Sequence, residues 1–220
     1  MLTRDLISSI LPVLHLQDKV FNALQLMSDS HVAHLPIEKD GQYIGLVSEE
    51  DLLQAPDDTL ELQELKEVYA QVKVSPDDHF LKALHIAAEG KLTVVPVVHS
   101  TGEFAGSVSY RELIRQASEF MNVKDPGALI VLEMEPRAYS FSEISRLVES
   151  NDAQITQLNT YTDTVTGLMQ VTLKINKMEV SDVVATLQRY DYTVRYSFGE
   201  EYYENELRSN YDNLMHYLKL

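Results

Sequence analysis

The sequence contains no cysteine, and no apolar run in it approaches the roughly 20 residues of a membrane-spanning helix. Without cysteine the chain can have no disulfide bond, no thiolate metal site and no cysteine nucleophile. The first residues also lack the basic segment and apolar run of a secretory signal. We therefore expect a cytoplasmic protein that does not associate with a membrane.

Positive charge is scarce as well. The chain has 18 lysines and arginines against 34 acidic residues, which gives a formal net charge of −16. Nonspecific binding to nucleic acid or to anionic lipid requires a positive surface, so this composition argues against both. A length of 220 residues allows one large domain or two to three small ones, with enough apolar residues to form a core.

A short turn sequence occurs twice in the first half of the chain. Residues 45–51 have the sequence Gly-Leu-Val-Ser-Glu-Glu-Asp, and residues 106–112 have the sequence Gly-Ser-Val-Ser-Tyr-Arg-Glu. A strand proline repeats at a spacing of sixty residues, as Pro36 and Pro96. One inserted residue before Gly102 accounts for the later spacing of sixty-one. The chain therefore contains an internal repeat.

Each copy is predicted to have the element order β-α-β-β-α. In the first copy a helix opens at Asp18, strands follow over 32–37 and 43–47, and a second helix begins after Ser48. In the second copy the sequence Ser-Pro-Asp-Asp at residues 75–78 predicts a helix start, because serine caps helices and proline suits the first turn.

The pattern changes near residues 125–127, where we place a domain boundary. The elements that follow have the order βαββαβ, which predicts a four-stranded antiparallel sheet with both helices on one face. Capping boxes at Ser140 and Asn176 mark the predicted starts of these two helices. Residues 201–220 are predicted to form a helix whose apolar stripe has to pack against another surface. The stripe consists of Tyr203, Leu207, Tyr211, Leu214 and Leu218.

The repeated turns allow two interpretations. Ser48 with Asp51, and Ser109 with Glu112, have the spacing of capping boxes that only stabilise a helix start. The same groups suit a ligand, because a helix start attracts anions and a carboxylate accepts hydrogen bonds from a diol. Glutamate is the better capping partner, so the second pair favours capping, whereas for the first pair both interpretations stay open.

Metal binding and catalysis lack support in the sequence. The seven histidines include no His-x-x-x-His pair, so we expect no metal site. Neither a Gly-x-Ser-x-Gly motif nor a glycine-rich phosphate loop occurs. We expect a protein without catalytic activity and without a resident cofactor.

Residues 1–125 resemble a tandem pair of CBS domains, a Bateman module, with one repeat at 1–60 and the other at 61–125. The resemblance rests on the strands at 35–37 and 95–97 and on the two turns described above. Residues 126–200 resemble an ACT domain, and the order CBS, CBS, ACT is similar to regulatory proteins of the acetoin-utilisation type. The implied fold class is α+β, a CBS pair followed by a ferredoxin-like domain and a C-terminal helix at 201–220.

In the CBS family an adenosine-containing ligand lies in the cleft between paired repeats. The resemblance implies that AMP, ADP, ATP or S-adenosylmethionine binds here, with the acid of a turn on the ribose and the serine near the phosphate. The predicted ligand-binding residues, which include the cationic Arg111, are Leu35, Pro36, Ile37, Gly45, Ser48, Asp51, Val95, Pro96, Val97, Ser109, Arg111 and Glu112.

Charge distinguishes the two turns. Glu49 and Glu50 follow Ser48 and repel phosphate, whereas the second turn carries Arg111, with Arg115 one helical turn later. We hypothesise that the first turn prefers a neutral or cationic ligand such as S-adenosylmethionine, and that the second prefers a phosphate.

These resemblances imply a regulatory protein that signals through a homodimer to an unknown partner protein. ACT domains commonly bind an amino acid near a glycine-bearing loop, but the corresponding loop at 135–140 has no glycine, which favours dimerisation. Two alternatives stay open at this point, a ligand-free oligomerisation scaffold and a fused enzyme fragment.

Overall fold

The computed structural model describes residues 1–199, apart from the side chains of residues 66–68. The predicted helix at 201–220 lies outside the described residues. The chain divides into two compact units, Met1–Glu119 and a second unit that begins at Phe120. Within residues 1–199, no helix is long and apolar enough to cross a membrane.

The first repeat combines a small mixed sheet with two α-helices. Its elements are β1 (Leu14–His15), α1 (Val20–Ser30), β2 (His34–Lys39), β3 (Gln42–Ser48) and α2 (Glu49–Leu53). The 3-10 helix Thr3–Leu6 precedes these elements, and the 3-10 helix Leu62–Val68 follows them. Strands β2 and β3 are antiparallel, and β1 runs parallel to β2 with Leu14 opposite Ile37. The buried residues Val20, Ala23 and Met27 of α1 join the core formed with this sheet.

The second repeat follows the same plan. Its elements are α3 (Phe80–Glu89), β4 (Val94–Val98), β5 (Phe104–Ser109) and α4 (Tyr110–Phe120). Val74 forms a parallel bridge to Val97, sixty residues after the pairing of Leu14 with Ile37. The β-bulge in β2 after Ile37 also recurs in β4 after Val97. The prediction of an internal repeat is therefore confirmed.

Two predicted helix starts in this unit are wrong, because local hydrogen bonds hold the residues in turns. Asp78 accepts from the Ser75 N–H at 2.8 Å, and α3 begins only at Phe80. Asp18 accepts from the His15 N–H at 2.7 Å, and α1 begins at Val20. In both cases the carboxylate closes a turn ahead of the helix.

Each repeat receives a chain segment from outside its own strands and helices. Leu6 belongs to the core of the second repeat, and Ser8 bridges to Ser107 of β5. In the same way Leu62 belongs to the core of the first repeat, and Ala70 exchanges backbone hydrogen bonds with Leu46 of β3. This exchange of segments ties the two repeats together.

The second unit is a four-stranded antiparallel sheet with two α-helices. Its elements are β6 (Ala128–Met134), the 3-10 helix Pro136–Ala138, α5 (Phe141–Glu149), β7 (Ile155–Thr162), β8 (Met169–Ile175), α6 (Ser181–Arg189) and β9 (Thr193–Phe198). The strand order is β7-β8-β6-β9. Buried residues of both helices share one core with alternate residues of the strands, so the helices cover a single face of the sheet.

The two predicted helix caps in the second unit have different outcomes. The serine half of the box at Ser140 is confirmed, because its hydroxyl accepts from the Glu143 N–H at 3.4 Å. The Glu143 carboxylate instead accepts from the Tyr192 hydroxyl at 2.9 Å. The predicted cap at Asn176 is wrong. Its side-chain oxygen accepts from the Gln154 N–H at 2.8 Å, and α6 begins five residues later at Ser181.

Candidate functional site

The first turn forms a complete capping box. The Ser48 hydroxyl accepts from the Asp51 N–H at 3.1 Å, and the Ser48 N–H donates to Asp51 Oδ2 at 3.3 Å. The hydroxyl of Ser48 also donates to Asp51 Oδ2 at 2.5 Å. The Asp51 carboxylate, predicted to bind ribose, is therefore engaged by its own turn.

The second turn uses its acid differently. The Ser109 hydroxyl accepts from the Glu112 N–H at 3.1 Å, but the Glu112 carboxylate accepts from Arg115 Nε at 2.9 Å. This hydrogen bond lowers the pKa of Glu112. Arg115 also pairs with Glu119, so two carboxylates neutralise it. Arg115 was expected to attract a phosphate, but its guanidinium is paired with Glu112 and Glu119 of its own helix.

A cavity of about 340 Å³ lies at the second turn, where the two repeats meet. The segment before β1 forms one wall, the end of α1 forms another, and the start of α4 forms a third. The lining residues are Ser8, Ile10, Leu11, Ser30, His31, Val32, Thr93, Ser109, Tyr110 and Arg111.

The start of α4 gives this cavity a positive region. The Ser109 hydroxyl accepts from the Glu112 N–H, and the Tyr110 N–H donates to the Thr93 carbonyl at 2.8 Å, which fixes the turn. The first N–H groups of an eleven-residue helix carry a partial positive charge, and the exposed Arg111 adds a full one. Several hydroxyl groups lie around them, so the lining can hold an anion next to polar groups.

Thr93 and His34 connect the two repeats beside this cavity. The Thr93 hydroxyl lies 3.1 Å from His34 Nδ1 and accepts from the Ala33 N–H at 2.9 Å. The Thr93 N–H also donates to His34 Nδ1, at 3.3 Å. Burial lowers the pKa of His34, and the Asp51 carboxylate partly opposes this shift. An unprotonated Nδ1 accepts from the Thr93 N–H, whereas the direction of its contact with the Thr93 hydroxyl depends on the tautomer of the imidazole.

The strand residues that were predicted to contact a ligand are buried in the two cores. The side chains of Leu35 and Ile37 are fully buried in the first core, and those of Val95 and Val97 are fully buried in the second. They offer no apolar surface to a base, because their side chains are occupied by core packing. Pro36 and Pro96 are buried in the same strands, at equivalent positions.

Gly45 has a packing role as well. A Cβ at this position would lie 2.6 Å from Cβ of Tyr69, so only glycine lets the segment after the first repeat cross β3 closely. Among the twelve predicted residues, Ser109 and Arg111 line the cavity described above.

Sequence reasoning missed most of the cavity lining. Ser8 and Ile10 come from a segment that precedes the repeat, and no local pattern marks them. Thr93 did carry a signal, because it stands sixty residues after Ala33 and replaces an apolar residue with a hydroxyl at the equivalent position. That difference between the copies is the one signal that could have marked this position, and the contact itself is seen only in the structure.

The CBS domain family model matches residues 3–58 and 66–119. A CBS domain pair/ACT domain protein from Thermotoga maritima is 20% identical, covers 55% of this chain and 99% of its own, and has a TM-score of 0.50. A protein named for acetoin utilization (AcuB) from Vibrio cholerae is 20% identical over 56% of this chain and 95% of its own, with a TM-score of 0.48.

CBSX2 from Arabidopsis thaliana is 22% identical over 55% of this chain and 96% of its own, with a TM-score of 0.47. CBSX2 is also known in complex with AMP. No curated protein matches the sequence.

Proposed function

Because this chain belongs to the CBS domain family, we propose that it is a regulatory protein without catalytic activity that binds an adenosyl nucleotide between its two repeats. The observation that carries this proposal is the cavity at the second turn, where Arg111 and the start of α4 face hydroxyl groups of the other repeat. Such a site recognises a phosphate together with a polar, ribose-bearing group.

The size and composition of the cavity support a nucleotide. Its volume of about 340 Å³ falls at the lower end of the range of about 300–1,000 Å³ that small-molecule sites occupy. That size favours AMP over larger nucleotides. Ile10, Leu11 and Val32 supply apolar surface for a base, and Ser8, Thr93 and Ser109 supply polar groups.

The first turn suits a different ligand within the same proposal. Glu49 and Glu50 are exposed beside Ser48, and they repel a phosphate. An adenosyl ligand without phosphate, such as S-adenosylmethionine, avoids this repulsion. Asp51 is the acid that would contact its ribose, at the cost of rearranging the capping box.

The second unit completes the proposal. Its βαββαβ order and its sheet covered by helices on one face suit an ACT-like, ferredoxin-like domain. We assign to it the formation of a homodimer through which ligand binding is passed to a partner protein. A ligand changes such an equilibrium only by its different affinity for the two states. The competing function is a scaffold that oligomerises without a ligand.

The test is calorimetric titration of the full chain with AMP, ATP, adenosine and S-adenosylmethionine. AMP is expected to bind, and Arg111→Ala is expected to weaken AMP binding about tenfold or more, since a hydrogen bond to a charged group contributes about 1.5–3 kcal/mol. Adenosine lacks the phosphate, so its affinity should be unchanged by this substitution.

Arg115→Ala is the matched control. It removes a cation from the same helix, one turn away, that is already paired with Glu112 and Glu119. AMP affinity should change by less than about twofold in this variant. Equal losses for the two arginines would argue against a phosphate at Arg111, and absence of binding by every adenosyl compound would favour the scaffold.

A further inference from the structure

The sheet of the second unit has one face that neither α5 nor α6 covers. Leu173 and Ile175 of β8 point into the core, so Lys174 between them lies on the opposite side. We call this opposite side the open face. The register places Gln157 of β7 opposite Lys174, so these two side chains are neighbours on the open face.

A cavity of about 550 Å³ lies on the open face. The segment 121–127, which leads into β6, forms one wall, and the strands form the floor. The apolar side chains of the lining are Met121, Val123, Leu129 and Met178, each of them more than a third exposed. Gln157, Asn159 and Thr172 add polar groups. The volume lies within the range of about 300–1,000 Å³ that small-molecule sites occupy.

Gly127 holds the wall of this cavity close to the sheet. An added Cβ at this position would lie 2.2 Å from the Ile175 carbonyl oxygen, so the close approach requires glycine. The next residue, Ala128, donates its N–H to the Lys177 carbonyl at 2.9 Å. The wall is therefore fixed to β8 and to the residues that follow it, and the cavity is part of the fold of this unit.

Lys174 is the unusual group of the lining. It is only 7% exposed, and its Nζ donates to the Asn122 carbonyl in the wall. Among the described residues, no acidic side chain forms an ion pair with it. Lysines are seldom buried unless they are paired, because an uncompensated charge is costly away from water. An ammonium has three N–H donors, so it can bind an anion in addition to this carbonyl.

The other charges of the lining do not supply that anion. Lys124 and Asp125 are both exposed and of opposite sign, so they offset each other. The buried Lys174 then leaves the cavity with one net positive charge next to apolar side chains. A ligand with one negative charge and an apolar body complements this lining. A zwitterion suits it less well, because its own ammonium would be repelled by Lys174.

We propose that the cavity on the open face binds a small monocarboxylate with an apolar body. The carboxylate accepts from the Lys174 ammonium, and the body packs against Met121, Val123 and Leu129. The amide of Gln157, beside Lys174, can donate to the second carboxylate oxygen. This inference goes beyond the proposed nucleotide binding and does not rest on it, since the cavity belongs to the second unit alone.

The test is calorimetric titration of the full chain with 3-phenylpropanoate and octanoate, which have an aromatic and a linear body. At least one of them should bind, and its amide, 3-phenylpropanamide or octanamide, should bind roughly tenfold more weakly because it lacks the charge. Phenylalanine is 3-phenylpropanoate with an added ammonium, and it should also bind more weakly. Failure of both carboxylates to bind would overturn the proposal. Equal binding of the amide would overturn it too, and tighter binding of phenylalanine would assign the cavity to an amino acid instead.

Lys174→Met tests the proposed counter-ion. The substitution removes the charge but keeps a long apolar side chain, and such a replacement of a buried charge is often tolerated by the fold. Binding of the carboxylate should weaken roughly tenfold or more, and binding of the amide should stay unchanged. Lys124→Gln is the matched control, since it removes an exposed cation of the same lining and should change affinity by less than about twofold. Equal losses in the two variants would contradict the assignment of Lys174.

A second pair of variants keeps the test valid if Lys174→Met fails to fold. Val123 lines the cavity and is 59% exposed, so its replacement leaves the core intact. Val123→Glu places a negative charge in the wall and should bind the carboxylate roughly threefold or more weakly than Val123→Gln. Equal affinities of these two variants would overturn the proposal. Arg111→Ala in the first unit should leave carboxylate binding unchanged, whereas a loss there would place the ligand in the nucleotide cavity and overturn it as well.

Discussion

The Thr93 hydroxyl lies 3.1 Å from Nδ1 of His34, and this contact joins the residue before β4 to the first residue of β2. The same hydroxyl accepts the Ala33 N–H at 2.9 Å. One side chain from the second repeat thus satisfies two polar groups at the start of β2. The position also borders the proposed nucleotide cavity, because Thr93 lines it.

Replacing this hydroxyl should weaken the unit formed by Met1–Glu119. In Thr93→Val the Ala33 N–H loses its acceptor in a partly buried place, which costs about 1–3 kcal/mol. The measurement is hydrogen exchange of peptides from this unit during unfolding in urea. Thr101→Val, at an exposed turn position of the same unit, should change stability by less than about 0.5 kcal/mol. Equal effects of the two substitutions would contradict the bridging role.

Acid should destabilise the same contact. The pKa of His34 in the folded protein lies below the ordinary value of 6.5, first because of burial. As the pH falls below 6.5, the unfolded chain takes up a proton before the folded one does, so stability decreases on acidification. Above 6.5 the imidazole is neutral in both states, and His34 adds no dependence on pH.

The variants His34→Gln and His85→Gln separate the contribution of His34 to the pH dependence of stability from the contributions of other titrating groups. His85 is an exposed residue of α3. The midpoint of thermal unfolding is followed from about pH 7.5 to about pH 5.5, which brackets the ordinary histidine range. The His34 variant should lose less stability over this interval than the parent chain, and the His85 variant should follow the parent. If the midpoints of the parent chain and the His34 variant fell in parallel with pH, His34 would not be the cause of the loss of stability in acid.

The sequence could predict what is encoded locally or by repetition. The spacing of sixty residues between Pro36 and Pro96 anticipates the equivalent strands, and the serine at 48 anticipates a capped helix. The cavity could not be predicted in this way, because Ser8 and Thr93 reach it through tertiary contacts. The starts of α1 and α3 were misplaced since Asp18 and Asp78 fold back onto preceding backbone instead of capping a helix.

Gly106 should be intolerant of a side chain. Its φ is +138°, and an added Cβ would lie 2.4 Å from Ile7 Cγ2. Gly106→Ala should therefore destabilise the Met1–Glu119 unit by about 1–3 kcal/mol through overpacking and backbone strain. The change in the free energy of unfolding is measured by urea unfolding, followed by hydrogen exchange of peptides from this unit.

Two further variants distinguish strain from overpacking at this glycine. Gly41 also has a positive φ, +76°, but no atom lies within 4 Å of an added Cβ, so Gly41→Ala should show only the backbone cost. Adding Ile7→Ala to Gly106→Ala should recover part of the loss, because the overlapping methyl group is removed. If the two substitutions were simply additive, the segment before β1 would not be packed against β5 as described.

The acids of the two turns should differ in their effect on stability although they occupy equivalent places. The Asp51 carboxylate accepts from the backbone N–H and the hydroxyl of Ser48, whereas the Glu112 carboxylate binds the exposed Arg115. Asp51→Ala should cost about 0.5–2 kcal/mol through loss of the cap. Glu112→Ala breaks a surface ion pair and should cost less than about 0.5 kcal/mol.

Hydrogen exchange resolves these two substitutions, because α2 and α4 give separate peptides. Faster exchange is expected over Glu49–Leu53 in the Asp51 variant, while Tyr110–Phe120 should exchange almost as in the parent chain when Glu112 is replaced. AMP titration of both variants adds a second readout. A phosphate held by Arg111 and the start of α4 requires neither carboxylate, so AMP affinity should change by less than about threefold in each. A large loss of AMP binding in the Asp51 variant alone would move the nucleotide from the second turn to the first.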